Sequence, residues 1–368
     1  MLVGLFIASA PRPAGGQSTP ATPYPKTGVD YSGIDAFYRI ADILAKDTEP
    51  TEGEWAAMLA TPGYRMVQIE NRGIRARIDL ALKPSRRVER DSVLKTDGEA
   101  SRAVSHLIEA AADRQRVLAT RQALQGSIAD TIARASARTR RFLPAGTVER
   151  IGTPFIAFAI FADDGFAEEP GVLLDPLNVE KEGLVDLLAH EFHHCFTGTL
   201  DRTLPRAELM KLRPPPADIG LFFVLIHLRN EGIADQVDKP YPLPTQAGLE
   251  WYSKGYNDAY PRTPALLRSL DSLLTIAADH PEDARSLAAP AQKLFWSNGH
   301  PNGAYMAREI VETFGVDSLF PGLYDAVAFA RTYASAERKR GNPPPFSEKT
   351  MKLFDSMTAR FERPAESR

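Results

Sequence analysis

From Tyr31 onward apolar side chains recur at helical spacing: Ile34, Phe37, Tyr38, Ile40, Ala41 and Leu44 form one stripe that predicts a helix over residues 31–44. Glu52–Leu59 predicts a second, stopped by Thr61-Pro62-Gly63. The period changes after Pro144-Ala145-Gly146. Residues 154–162 (PFIAFAIFA) are continuously apolar and rich in Phe and Ile, which predicts a buried strand, and 171–175 (GVLLD) predicts a shorter one ended by Pro176. Helical spacing then returns over 179–197, 216–237, 246–256, 264–280, 283–295, 303–314, 323–340 and 347–361. Prolines gather between these stretches, at 214–216 and 343–345, where a ring without an N–H does least harm. The pattern predicts a mainly helical α+β protein, with residues 29–150 as an N-terminal helical region and 151–368 as a second region carrying a small sheet.

Before residue 29 the chain has a different character. Leu2–Ala8 is a short apolar run followed by Ala8-Ser9-Ala10, the outline of a secretory signal, although no Lys or Arg precedes it and Pro11 follows the cut. Residues 11–28 are rich in Pro, Gly, Ser and Thr and read as a tail outside the fold. Export to a periplasm or the medium and retention in the cytoplasm both stay open.

Composition narrows the functional classes. The 368 residues carry a net charge of −3, which argues against a nucleic-acid coat. Residues 65–150 hold 18 Lys or Arg against 10 Asp or Glu, but these lie along amphipathic helices without interleaved aromatics, the pattern of a solvated face. No apolar run reaches the ~20 residues of a membrane span. Cys195 stands alone, which excludes an intrachain disulfide and any cysteine-held zinc or iron–sulfur cluster.

The chemistry concentrates in His190-Glu191-Phe192-His193-His194, an H-E-x-x-H inside a strongly apolar helix. Residues four apart lie about 40° apart around a helix, so His190 and His194 present two imidazoles on one face, one turn apart. That suits two of the three protein ligands of a catalytic zinc, one ion per chain, with Glu191 placed to take a proton from water rather than to ligate. His193 reads as a partly exposed neighbour and Cys195 as a small core residue. A third ligand is expected from Asn230-Glu231-Gly232-Ile233-Ala234-Asp235. Glu231 follows His194 by 37 residues, and Glu231 and Asp235 share a helix face, so one carboxylate can reach the metal while the other holds a ligating histidine's free N–H. His227, one turn before Glu231, is a rival ligand. Gly299-His300-Pro301-Asn302-Gly303-Ala304-Tyr305, read as a loop opening the helix 303–314, offers His300 and Tyr305 as donors to the oxyanion of a tetrahedral intermediate.

H-E-x-x-H followed by a helix carrying N-E-x-x-x-D resembles the gluzincin metallopeptidases, the thermolysin-like group with two His and one Glu on zinc. It is more closely similar to uncharacterised bacterial families regarded as zinc-dependent peptidases. Residues 37–44 (FYRIADIL), Trp55 with 61–64 (TPGY), 231–235 (EGIAD) and 299–306 (GHPNGAYM) carry that likeness over most of residues 30–315. Glu231 lies farther from the second histidine than in thermolysin-like enzymes, leaving residues 199–218 as an insert. The resemblance implies a sheet beside the active-site helix, a peptide or protein substrate lying along the 171–175 strand edge, an oxyanion donor that is Tyr or His, and hydrolysis with Glu191 as general base. Two other readings remain open: a zinc-stabilised binding protein without turnover, and a metal hydrolase of a non-peptide amide.

Overall fold

The computed structural model describes residues 27–362, except 72, 97, 163–164, 169–170, 205, 210–214 and 246–248. The N-terminal leader reading therefore falls outside the described residues. The chain forms two compact units. One joins the described part of Met1–Asp130 to Gly152–Gly183, and the other joins Thr131–Ile151 to Leu184–Arg368. The architecture is mainly helical with one small mixed sheet, as the hydrophobic pattern predicts.

That sheet belongs to the first unit. Its strands are β1 (Val29–Asp30), β2 (Phe155–Phe158), β3 (Gly165–Glu168) and β4 (Gly171–Leu174), in the order β1-β2-β4-β3. β2 pairs in parallel with β1 and β4, while β3 closes a hairpin on β4. Every residue of β2 and β4 is buried, which is why both read as unbroken apolar runs rather than alternating ones. The substrate edge expected at 171–175 needs correction. β4 is an inner strand, bonded to β2 on one side and β3 on the other, so its main chain has no edge left to offer. Asp175, fully buried at the end of β4, caps the helix Pro176–Glu182 by accepting from the Leu177 amide (2.9 Å) and also accepts from Phe161 N (2.9 Å). His106 Nε2 completes its shell at 2.8 Å. The helix Glu52–Leu59 has the expected bounds because Thr51 and Glu54 form a reciprocal capping box.

In the second unit the metal-motif helix is Leu184–Leu200, not one helix from 179. Gly183 at φ 84° breaks the predicted stretch, because a left-handed residue ends the preceding helix Pro176–Glu182. Leu187, Leu188, Ala189, Phe192, Phe196 and Leu200 bury this helix, and Thr139 donates to the Ala189 carbonyl at 2.8 Å. Behind it runs the 20-residue helix Ile219–Asp238, whose Arg229 is 1% exposed. Its guanidinium donates to the carbonyls of Gly322 and Leu323, each at 3.2 Å, and pairs with Asp201, so the buried charge has a counter-ion. Among the described residues no helix is long and apolar enough to cross a membrane.

Glu362, where the described chain ends, yields a stability prediction. Burial, then the Asp325 and Asp201 carboxylates, push its pKa up from 4.5 to about 9. A raised carboxyl pKa means that the folded state holds the proton more tightly. Its contribution is therefore full below pH 4.5 and is lost as pH rises towards 9. Glu362→Gln should unfold at a higher temperature than wild type at pH 8 and match it near pH 4. Identical melting curves across that range would show that Glu362 is not titrating in the folded protein.

Candidate metal centre

Glu231 and His300 stand next to each other because two helices meet at backbone distance. On Ile219–Asp238, Gly232 lies against Gly303 of the helix His300–Phe314: a Cβ on Gly303 would stand 2.1 Å from the Leu228 carbonyl oxygen, and one on Gly232 would stand 2.3 Å from the Gly303 carbonyl carbon. Only glycine fits at either position. The His300 helix starts at His300 itself rather than at 303, with Pro301 in its first turn, where the missing N–H costs nothing. Ahead of it Ser297 (φ 49°), Asn298 (φ 52°) and Gly299 (φ 88°) are all left-handed. Two non-glycine residues held in that region are strained, a feature that gathers at functional sites.

Three imidazoles converge on one oxygen. Glu231 Oε2 lies 3.5 Å from His190 Nε2, 3.2 Å from His194 Nε2 and 3.2 Å from His300 Nε2. The two motif histidines approach each other at 3.0 Å through Nε2. With zinc–ligand bonds of about 2.0–2.2 Å, two ligand atoms of a tetrahedral site stand about 3.3–3.6 Å apart. The spacing of these donors is therefore close to what a small divalent ion requires.

Behind the imidazoles stands a ring of charge. His190 Nδ1 lies 3.0 Å from Asp238 Oδ1 and 3.5 Å from Asp235 Oδ1, and His300 Nδ1 lies 3.0 Å from the same Asp235 oxygen. Asp235 is fully buried and accepts from the Tyr256 hydroxyl at 3.1 Å. Lys239 Nζ sits 3.0 Å from Asp235, 2.7 Å from Asp238 and 3.2 Å from His190 Nδ1. Asp235, Asp238 and His190 Nδ1 could form a second cation site, but the Lys239 ammonium already serves it. A carboxylate oxygen therefore stands at hydrogen-bond distance from Nδ1 of each ring, while Nε2 of both rings faces Glu231.

The electrostatics follow from this packing. Burial alone would raise Glu231, but His300 and His194 reverse that and hold it well below the usual carboxylate range. Burial is outweighed in the same way at Asp235, where Lys239 and His300 hold the carboxyl low. Burial and Lys239 act against charge on His190, yet Asp238 and Glu231 keep its pKa well above the imidazole range. For His194 burial wins over Glu231, and its pKa falls.

Other expected residues are placed as follows. Glu191 is 5% exposed, within the buried stretch of its helix. His193 is 1% exposed rather than partly exposed, because its side of the helix is packed as fully as the ligand side; burial and its two neighbouring imidazoles hold its pKa well below normal. Cys195 is half-buried, not a core residue. His227 lies one turn before Glu231 on the same helix. Tyr305, in the helix that the periodicity over 303–314 predicts, packs edge-on against Tyr260 (5.2 Å between centroids) and Tyr333 (6.4 Å). Lys239 and Asp238, which complete the outer ring, went unrecognised in the sequence. Asp238 follows Asp235 by three positions, a spacing that places it on the same helix face.

Residues 55–341 match the model of the family described as "Putative zinc dependent peptidase (DUF5700)". The chain belongs to that family. The match spans the motif helix, Glu231, Asp235 and His300, so every residue of the cluster lies inside the family's shared region. No curated protein and no solved structure matches the chain.

Proposed function

We propose that the chain is a zinc-dependent peptidase of gluzincin type, with His190, His194 and Glu231 as metal ligands, one ion per chain, and Glu191 as general base. The observation that carries this reading is the convergence of His190 Nε2 and His194 Nε2 on Glu231 Oε2 within 3.5 Å, from two helices far apart in sequence. The donor set of two imidazoles and a carboxylate is that of a catalytic zinc. When bound, zinc supplies a Lewis acid that brings its water's pKa towards ~7 and polarises a scissile carbonyl. Glu191 takes the proton of the attacking water and passes it to the leaving amine. Asp238 holds His190 in the tautomer that leaves Nε2 free, and Asp235 backs both His190 and His300. Lys239 balances the two aspartates, so their charge is retained in a buried place. Of the two residues the resemblance offers as oxyanion donors, His300 is the one beside Glu231.

Purified protein should carry about one zinc per chain and cleave peptides in a broad library in a chelator-sensitive way. Alanine at His190 or His194 should abolish stoichiometric zinc. Glu231→Ala should lose most affinity, whereas Asp235→Ala should lose ~10–100-fold, as expected for a residue acting through a ligand. Full zinc occupancy in a His190→Ala, His194→Ala double variant would remove the basis of this reading. Zinc lost in His227→Ala and kept in Glu231→Ala would move the third ligand to His227.

A further inference from the structure

His300 has the same two-sided arrangement as His190. Its Nδ1 faces a buried carboxylate, Asp235 Oδ1 at 3.0 Å, and its Nε2 faces Glu231 Oε2 at 3.2 Å. In His190 the corresponding distances are 3.0 Å to Asp238 and 3.5 Å to Glu231. His190, Glu231 and His300 offer ligand atoms that all lie within 4.8 Å of one another. We propose that His300 is a fourth protein ligand of the metal, so that the resting site holds three imidazoles and one carboxylate. The proposal rests on the zinc-site reading above and assigns His300 a place in it other than oxyanion donor.

The geometry of the ring separates the two roles. An oxyanion donor must face the place where a substrate carbonyl lies, whereas His300 Nε2 stands 3.2 Å from Glu231 Oε2, the oxygen that His190 and His194 also face. A ring backed by a buried carboxylate at Nδ1 and converging through Nε2 with two other imidazoles on one carboxylate oxygen has a metal ligand's geometry. Two structural features hold His300 there. The Gly232–Gly303 contact brings its helix onto the Glu231 helix at backbone distance, and the left-handed run Ser297–Gly299 sets the direction from which the ring enters. Such a device is more than a peripheral hydrogen bond requires. Four protein donors fill a tetrahedral ion, so water and substrate then need a fifth position or the release of His300.

X-ray absorption on the zinc-loaded wild-type protein tests this without any substitution. Three imidazoles around zinc support the proposal, and two overturn it. In parallel, His300→Ala should weaken zinc, measured by chelator competition, by more than the ~100-fold upper range of an outer partner. It should also change the visible spectrum of the cobalt-substituted protein, which reports coordination directly. Circular dichroism establishes whether the variant is folded; if it is not, the wild-type absorption measurement decides. A folded His300→Ala protein with wild-type zinc affinity and an unchanged cobalt spectrum would make His300 a substrate-facing group and leave His190, His194 and Glu231 as the whole ligand set. Wild-type protein that takes up no zinc would overturn both readings, an outcome distinct from the previous one.

Discussion

Glu191→Gln protein should hold zinc as tightly as wild type and turn over peptide about 10²–10⁴-fold more slowly, the usual contribution of a positioned proton-transfer group. Glutamine keeps the size and hydrogen-bonding capacity of the side chain and removes only its basicity. Glu191 follows His190 on the motif helix, and neighbouring helical positions lie about 100° apart, so it is read as the base rather than as a ligand. Its carboxylate is 5% exposed within an apolar helix, a costly place for an anion unless it has a task. Metal content and steady-state rate, measured on the same preparation, separate the two roles. Equal rates in the two proteins would place the activity elsewhere. Zinc bound by both proteins with no cleavage by either would make the chain a zinc-stabilised binding protein.

The inner part of the site was legible because it is local. His190, Glu191 and His194 lie within one turn and a half of one helix, and Glu231 with Asp235 within one turn of another, so helical periodicity alone placed His190 with His194, and Glu231 with Asp235, on common faces. What periodicity cannot carry is contact between helices. That His300 reaches Glu231 depends on the Gly232–Gly303 crossing, and two glycines 71 positions apart in a sequence with 25 glycines give no sign that they touch. Tyr305, five residues further on, shared the sequence argument for His300, but its helical position turns it towards Tyr260 and Tyr333. Lys239 was hidden by its type: a lysine after a helix end reads as surface, and only two buried aspartates make it an interior cation.

The sheet shows the same division. β2 and β4 were readable as buried apolar runs, whereas β1 is two residues long and acquires its strand identity from pairing with Ile156 and Ala157. β3 follows β2 closely enough to be taken for its loop, and its presence converts β4 from an edge into an inner strand.

Gly303→Ala should destabilise the protein by about 3 kcal/mol, the upper end for overpacking, and should weaken zinc binding as well. The added methyl would meet the Leu228 carbonyl oxygen at 2.1 Å and Gly232 Cα at 2.8 Å. Both are backbone atoms of one helix, so no side-chain rotamer can relieve the clash, and the two helices must separate. Separation acts directly on the site, because Glu231 precedes Gly232 on one helix and His300 begins the other. A lateral shift of about 1 Å would carry His300 Nε2 beyond the 3.2 Å at which it now faces Glu231. Alanine at Gly315, where an added Cβ would meet no neighbouring atom within 4 Å, is the control: its left-handed φ of 90° costs stability without spreading the crossing. Thermal unfolding and zinc competition on both variants decide the matter. Gly303→Ala should lose stability and zinc affinity together, whereas Gly315→Ala should lose stability alone. Unchanged zinc affinity in a destabilised Gly303→Ala protein would show that the glycine contact packs the helices without setting the geometry of the metal centre.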